Sequence, residues 1–147
     1  MEDGRKGIRL IQVLFVATAI WDAGLGLVAL FAPVWMFQTL QIPSPEDWGY
    51  VRFPGALLVI FAAMFVSIAC NPVGRRGLIL YGIALKWAYT GVVVSSWVTT
   101  GVSDAWKPFA LLDGVVGLLF LWAYLALGKF PTSGGAQASG PQPAGIL

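Results

Sequence analysis

Histidine is absent from the 147-residue chain, and cysteine occurs once, as Cys70. Without imidazole there is no bis-His haem, no His-ligated zinc and no Ser-His-Asp triad. A single thiol excludes an internal disulfide, a CxxC redox pair and a four-cysteine metal site. No metal, no cofactor and no catalytic residue is therefore expected. Charge is scarce as well. Charged residues make up 11% of the chain, against roughly 25% in soluble domains. Hydrophobic residues make up 58% and mean hydropathy is +0.78. Too few charges remain to coat a water-facing surface, so the expected class is an integral membrane protein. The lipid bilayer is its first partner; nothing points to nucleic acid.

A spanning helix needs about 20 mostly apolar residues. Four stretches qualify, at about 8–31, 50–70, 78–99 and 105–127. Proline closes the first at Pro33 and the second at Asn71-Pro72, because it cannot continue a helix. Gly101 closes the third, and Gly128 with Pro131 closes the fourth. Pro54 and Pro108 fall inside spans, and are expected in or near the first turn, where a missing N–H costs nothing. Asp104 is expected to cap the fourth span. A duplicated hairpin would explain why Pro54-Gly-Ala-Leu-Leu is echoed by Pro108-Phe-Ala-Leu-Leu. The first and third spans do not share that offset, and the echo is read as chance. The expected fold is an all-α, four-helix transmembrane bundle over residues 1–130.

The links carry their own signals. Residues 33–41 are too short to span and read as an interfacial turn of helix, with Trp35 at headgroup level. Pro43-Ser-Pro-Glu-Asp is polar and turn-forming. The uncharged Gly, Pro, Ser, Gln and Ala of residues 131–147 predict a disordered tail. Arg5-Lys6, an apolar run and Ala17-Thr18-Ala19 have the form of a cleavable signal. The apolar run continues through Phe31, longer than a signal needs, and is read as a retained span. Arg5, Lys6, Arg9, Arg75, Arg76 and Lys129 all fall on one side of a four-span topology. Lys/Arg excess marks the cytoplasmic side, so both termini are expected there, in a cell inner membrane.

Four ionisable residues interrupt the apolar spans or their edges: Asp22, Arg52, Lys86 and Asp113. Each costs roughly 2.5–3.5 kcal/mol at a helix centre on insertion scales. A rise of 1.5 Å per residue puts Asp22 ~20 Å above the cytoplasmic edge, Asp113 ~10 Å below the outer edge, and Lys86 near the middle. In a ~30 Å core the two carboxylates share a level. Residues spaced by three and four share a helix face. Such faces hold Phe15, Thr18, Ala19, Gly26 and Ala29 around Asp22, and Gly55, Ala56, Val59, Ala63, Ser67 and Cys70 around Arg52. They hold Gly82, Tyr89 and Thr90 around Lys86, and Ala110, Gly117 and Phe120 around Asp113. Small and polar residues let helices approach and bond. All four charges are therefore expected to turn inward, with Lys86 as the central cation paired to Asp22 or Asp113 and Arg52 above it toward the outer water. Such a cluster is either a salt-bridged lock on helix register or a polar pocket or ion path.

Trp35, Trp48, Trp97, Trp106 and Tyr50 read as an outer aromatic belt, and Trp122, Tyr124 and Tyr81 as an inner one. Trp21 and Trp87 lie deeper, each beside a charge, and flank the polar face about 100° away on their helices. With Thr18, Gly26, Tyr89, Thr90 and Gly117 they are candidate pocket-lining residues. Cys70 reads as a small hydrophobe at the span edge.

Three function classes survive. A non-enzymatic bundle, either an accessory subunit or a binder of a lipid or quinone-like ligand, needs only a fold and a pocket; its partner would be another membrane protein or a second copy. A small proton-coupled transporter acting as a dimer through Asp22 is the alternative: four short spans with an acid in the first resemble the layout of small multidrug exporters. Against that layout stand Lys86 and Arg52, which compete for the carboxylate, Asp113, and the long first link. An intramembrane aspartyl protease would use both acids, but Asp113 lacks the Gly-x-Gly-Asp context and the cations would keep the pair ionised. Finally, Trp21-Asp-Ala-Gly-Leu-Gly running to Pro33, followed by Arg52-Phe-Pro-Gly-Ala-Leu-Leu, resembles the DoxX-like group of small bacterial inner-membrane proteins. Some of its members are similar to quinol-oxidase subunits. That resemblance implies an accessory role and transfers no catalytic residue.

Overall fold

A computed structural model describes residues 2–130, with side chains from residue 5 onward. The expected disordered tail, 131–147, lies outside the described residues. Five α-helices follow one another: α1 (Glu2–Phe31), α2 (Pro33–Thr39), α3 (Gly49–Cys70), α4 (Ile79–Thr99) and α5 (Lys107–Leu127). Short 3-10 turns at Arg76–Leu78 and Asp104–Trp106 lead into α4 and α5. No strand occurs among the described residues. All but α2 are long and apolar enough to cross a membrane. Much of their outer surface is Leu, Val, Ile and Phe, including Ile20, Phe31, Ile60, Val98 and Leu125, which suits lipid rather than water.

The helices associate as two antiparallel pairs, α1 with α3 and α4 with α5. Glycine makes the first pair close. A Cβ on Gly26 would lie 2.7 Å from the Gly55 carbonyl oxygen, and one on Gly55 would lie 2.9 Å from the Gly26 carbonyl oxygen. Each glycine thus removes the atom that would push the other backbone away. In the second pair, Gly117 gives way to the Trp87 indole, which a Cβ there would meet at 2.9 Å. Thr90 adds a hydrogen bond, donating Oγ1 to the Ala110 carbonyl at 3.0 Å.

The pairs join around an aromatic knot. Phe15 of α1 stacks on Phe120 of α5 at 4.4 Å between ring centroids, and Phe65 of α3 meets Phe120 edge-on at 5.1 Å. Gly82 of α4 completes it, since a Cβ there would lie 2.8 Å from the Phe65 ring. All four long helices therefore contribute to one buried centre. Such ring pairs contribute about 0.5–1.5 kcal/mol each beyond their area burial.

One end of the bundle gathers the start of α1, the α3–α4 turn and the end of α5. Gln12 donates Nε2 to the Ala69 carbonyl at 3.0 Å. Arg75 donates to both the carbonyl and the hydroxyl of Ser67, in the last turns of α3. Arg76 donates Nε to the Tyr124 carbonyl at 2.8 Å and lies over the Tyr124 ring. The two arginines thus sit at the carbonyl ends of α3 and α5, where helix dipoles favour positive charge. At the other end α2 folds back, burying Pro33, Met36 and Phe37. Trp48 and Trp106 pack edge-on against Phe37 at 5.4 and 6.2 Å.

Two local expectations need correction. α3 begins at Gly49, so Pro54 lies in its second turn. The hydrogen bond it lacks is one that the Tyr50 carbonyl would have received. Asp104 does not cap α5: it opens the 3-10 turn and its carboxylate pairs with Lys107 three residues on. Lys107 also lies 4.5 Å from the centre of the Trp97 ring. The Pro54 and Pro108 segments are not packed alike, since Gly55 is buried while Phe109 is partly exposed, and Ala110 is buried while Ala56 is partly exposed.

Candidate functional site

Two turns along α1 from the aromatic knot, and one turn along α4, three ionisable side chains converge. Lys86 lies 2.8 Å from Asp22 Oδ1 and donates to both oxygens of that carboxylate, the second at 2.9 Å. The same Nζ lies 2.9 Å from Asp113 Oδ1. Lys86 and Asp22 are each 1% exposed. The Asp113 side chain is 15% exposed. One ammonium therefore bridges a sealed carboxylate on α1 and a partly open one on α5. It ties the two helix pairs together at the level where the depth arithmetic placed both acids.

The local sequence explains how this forms. α1 buries Ile11, Phe15, Thr18, Ala19, Asp22, Gly26 and Ala29, a continuous stripe at helical spacing. Asp22 sits in the middle of that stripe and has no route to water. On α4, Gly82 lets Phe65 and Phe120 in beneath Lys86, and the long lysine stem can lie over them. On α5, Ala110, Gly117 and Phe120 share the buried side with Asp113 at its margin. Among the described residues no buried side-chain nitrogen or oxygen lacks a hydrogen-bond partner.

Arg52 does not join the cluster. It is exposed and makes no ion pair among the described residues. The reason is the register of α3. Its buried stripe is Gly55, Ala62, Phe65, Ile68 and Ala69, and Arg52 lies roughly a third of a turn around from it. Ala63 and Cys70, expected on the inner face with Arg52, are exposed for the same reason. Gly55 belongs to both faces and meets Gly26 of α1, while Ala62, Phe65, Ile68 and Ala69 turn inward with it in place of Ala63 and Cys70. The buried charge is thus three residues, two negative and one positive.

Beside the cluster is a cavity of about 200 Å³, lined by Leu14, Ala17, Thr18 and Trp21 of α1, Lys86 of α4, and Leu112, Asp113 and Val116 of α5. Ala17, Trp21 and Leu112 are exposed, so it opens sideways between α1 and α5. A larger hollow of about 470 Å³ adjoins it, sharing Ala17 and Trp21 and continuing past Gly24, Leu25 and Val28 to Trp35, Met36 and Leu40 beneath α2, with Phe109 opposite. The two share Ala17 and Trp21 as wall and follow about 20 Å of one side of α1, a lateral groove that is apolar at the α2 end and ionic at the other.

Of the candidate lining residues, Thr18 and Trp21 face the groove. Thr18 donates its hydroxyl to the Leu14 carbonyl at 2.9 Å. Gly26 serves the α1–α3 contact instead, and Gly117 the contact with Trp87. Thr90 is spent on Ala110, and Tyr89 is half-buried on α4. The larger hollow was not foreseen: its lining comes from α1, α2 and α5, and only the fold-back of α2 brings Trp35 and Met36 over α1. Among the described residues no group of three or more Cys, Asp or Glu side chains is placed to hold a metal ion. No protein-family model, curated protein or solved structure matches the chain.

Proposed function

We propose that this is a non-enzymatic, multi-pass inner-membrane protein that binds a hydrophobic ligand, lipid or quinone-like, in the lateral groove between α1 and α5. One observation carries the reading: an apolar hollow open at the helix surface shares its wall with a cavity lined by the bridged Lys86 and Asp113. Sites for small ligands are mostly apolar with a few convergent polar groups, and intramembrane charge marks function by default. The DoxX-like resemblance, with its accessory role, agrees with a binding protein that has no chemistry of its own. Both termini are assigned to the cytoplasm, because Arg5, Lys6, Arg9, Arg75, Arg76 and Lys129 belong to the end where the start of α1 and the end of α5 lie.

The transporter reading through Asp22 draws less support. That carboxylate is sealed, and both its oxygens are taken by Lys86, so neither water nor substrate reaches it without breaking the pair.

The test is native mass spectrometry of protein extracted in mild detergent. Wild type is expected to carry a bound hydrophobic molecule. Ala17→Trp fills the segment shared by both parts of the groove from an exposed position, and should lose that molecule while still unfolding in one cooperative transition. Ligand-free wild type, or a ligand retained by Ala17→Trp, would defeat the reading.

A further inference from the structure

The groove has a sign. Lys86 donates to both oxygens of Asp22, and its Nζ also lies 2.9 Å from Asp113 Oδ1. An ammonium has three N–H donors; with three oxygens within 2.9 Å, none is left to offer a ligand. Asp22 is sealed. The group that still faces the cavity with unspent capacity is Asp113: its second oxygen accepts no hydrogen bond among the described residues, and its side chain is partly exposed. The formal charges of Asp22, Lys86 and Asp113 sum to −1. No other charged side chain lines either part of the groove. Tyr89, half-buried on α4, is the remaining titratable group under the influence of Asp113, and it carries no positive charge to offset it. Arg52, on α3, is exposed and makes no ion pair among the described residues.

We infer that the groove selects amphiphiles with a cationic head, an alkyl- or arylammonium whose N–H or N–CH₃ face rests on Asp113 while its apolar body lies along α1 beneath α2. This rests on the groove reading proposed above and specifies its ligand. The same excess charge repels carboxylate and phosphate heads, which the saturated Lys86 cannot rescue. Anionic phospholipids and fatty acids of the surrounding bilayer are therefore poor competitors. A neutral head has only a hydrogen bond to gain from Asp113, whereas a cation also gains a charge interaction that is strong away from water. Trp21 and Phe109, packed together with ring centroids 6.2 Å apart and both in the wall of the hollow, add aromatic faces of the kind that attract ammonium groups.

The experiment compares three probes with one chain: dodecylammonium, dodecanol and dodecanoate. The protein is reconstituted in phosphatidylcholine nanodiscs, and binding is read by titration calorimetry. Ala17→Trp nanodiscs define the bulk partitioning to be subtracted. Wild type is expected to bind dodecylammonium at least about tenfold more tightly than dodecanol, with dodecanoate weakest. Asp113→Asn should bring dodecylammonium down to the level of dodecanol in the same variant, and a cooperative melting transition shows that the variant is folded. Asp113→Glu should keep the preference. Equal groove-dependent binding of all three probes would overturn the charge selection and leave the groove reading standing. A cation preference that survives Asp113→Asn would overturn it too. No groove-dependent binding of any probe would overturn both.

Discussion

At Lys86 the difference between its two partners decides what each substitution does. Asp22 has both oxygens on the ammonium and no exposure, whereas Asp113 gives one oxygen and keeps a side open. Removing one member of a buried pair leaves an uncompensated charge, at a cost of about 3–5 kcal/mol. Lys86→Met should therefore lower the melting temperature in detergent sharply. Adding Asp22→Asn should restore most of the loss, because the stranded buried charge goes with it. Adding Asp113→Asn should restore little, because Asp22 remains sealed and alone. Equal recovery in the two doubles would show that the bridge is symmetric and refute the division drawn here. The depth arithmetic and the i, i+3, i+4 faces made Asp22, Lys86 and Asp113 legible as a cluster, since on α1, α4 and α5 burial follows side-chain spacing. Arg52 was misplaced because charge and small residues on one face of α3 do not say which face turns inward. That depends on how the partner helix meets α3, which spacing along α3 alone does not show.

Among the helices, glycine separates into positions that make contacts and positions that merely lie in a span. Gly26 and Gly55 hold α1 against α3 by mutual absence of Cβ, and Gly82 admits two phenylalanine rings. Gly91 on α4 is exposed, with nothing within 4 Å of where a Cβ would be. Sequence alone does not distinguish them. Gly26→Ala should destabilise by about 1–3 kcal/mol, since the facing atom is a backbone carbonyl that cannot swing aside. Gly91→Ala should be neutral or stabilise by up to about 1 kcal/mol, by removing an unnecessary helix-interior glycine. Thermal unfolding of the two variants in one detergent checks both, and equal effects would mean that α1 and α3 do not meet through Gly26. The spans themselves were readable because length, proline and glycine stops and hydropathy act locally. The groove under α2 was not, because a seven-residue interfacial helix carries no signal for the direction in which it folds back; Met36 and Phe37 settle it by burying against the α1 end.

For the molecule as a whole, charge distribution and helix pairing support the orientation proposed above. The arginines that terminate α3 and α5 are also the cations of the α3–α4 turn. Their structural work and the cytoplasmic preference of Lys and Arg therefore act at the same end. Cys70, the chain's only cysteine and exposed as the last residue of α3, lies at that end and serves as a reporter without any engineering. A membrane-impermeant maleimide added to intact spheroplasts should leave Cys70 unlabelled, and the same reagent added to inverted vesicles should label it. Cys70→Ser in inverted vesicles sets the background. Placing a new cysteine at Ser44 in that variant, in the exposed link between α2 and α3, should give the opposite pattern, because an odd number of crossings separates the two positions. Labelling of Cys70 from outside, with Ser44→Cys labelled from inside, would invert the assignment while keeping four spans. Labelling of both positions from one side would be worse for the fold, since α3 could then not cross the bilayer between them.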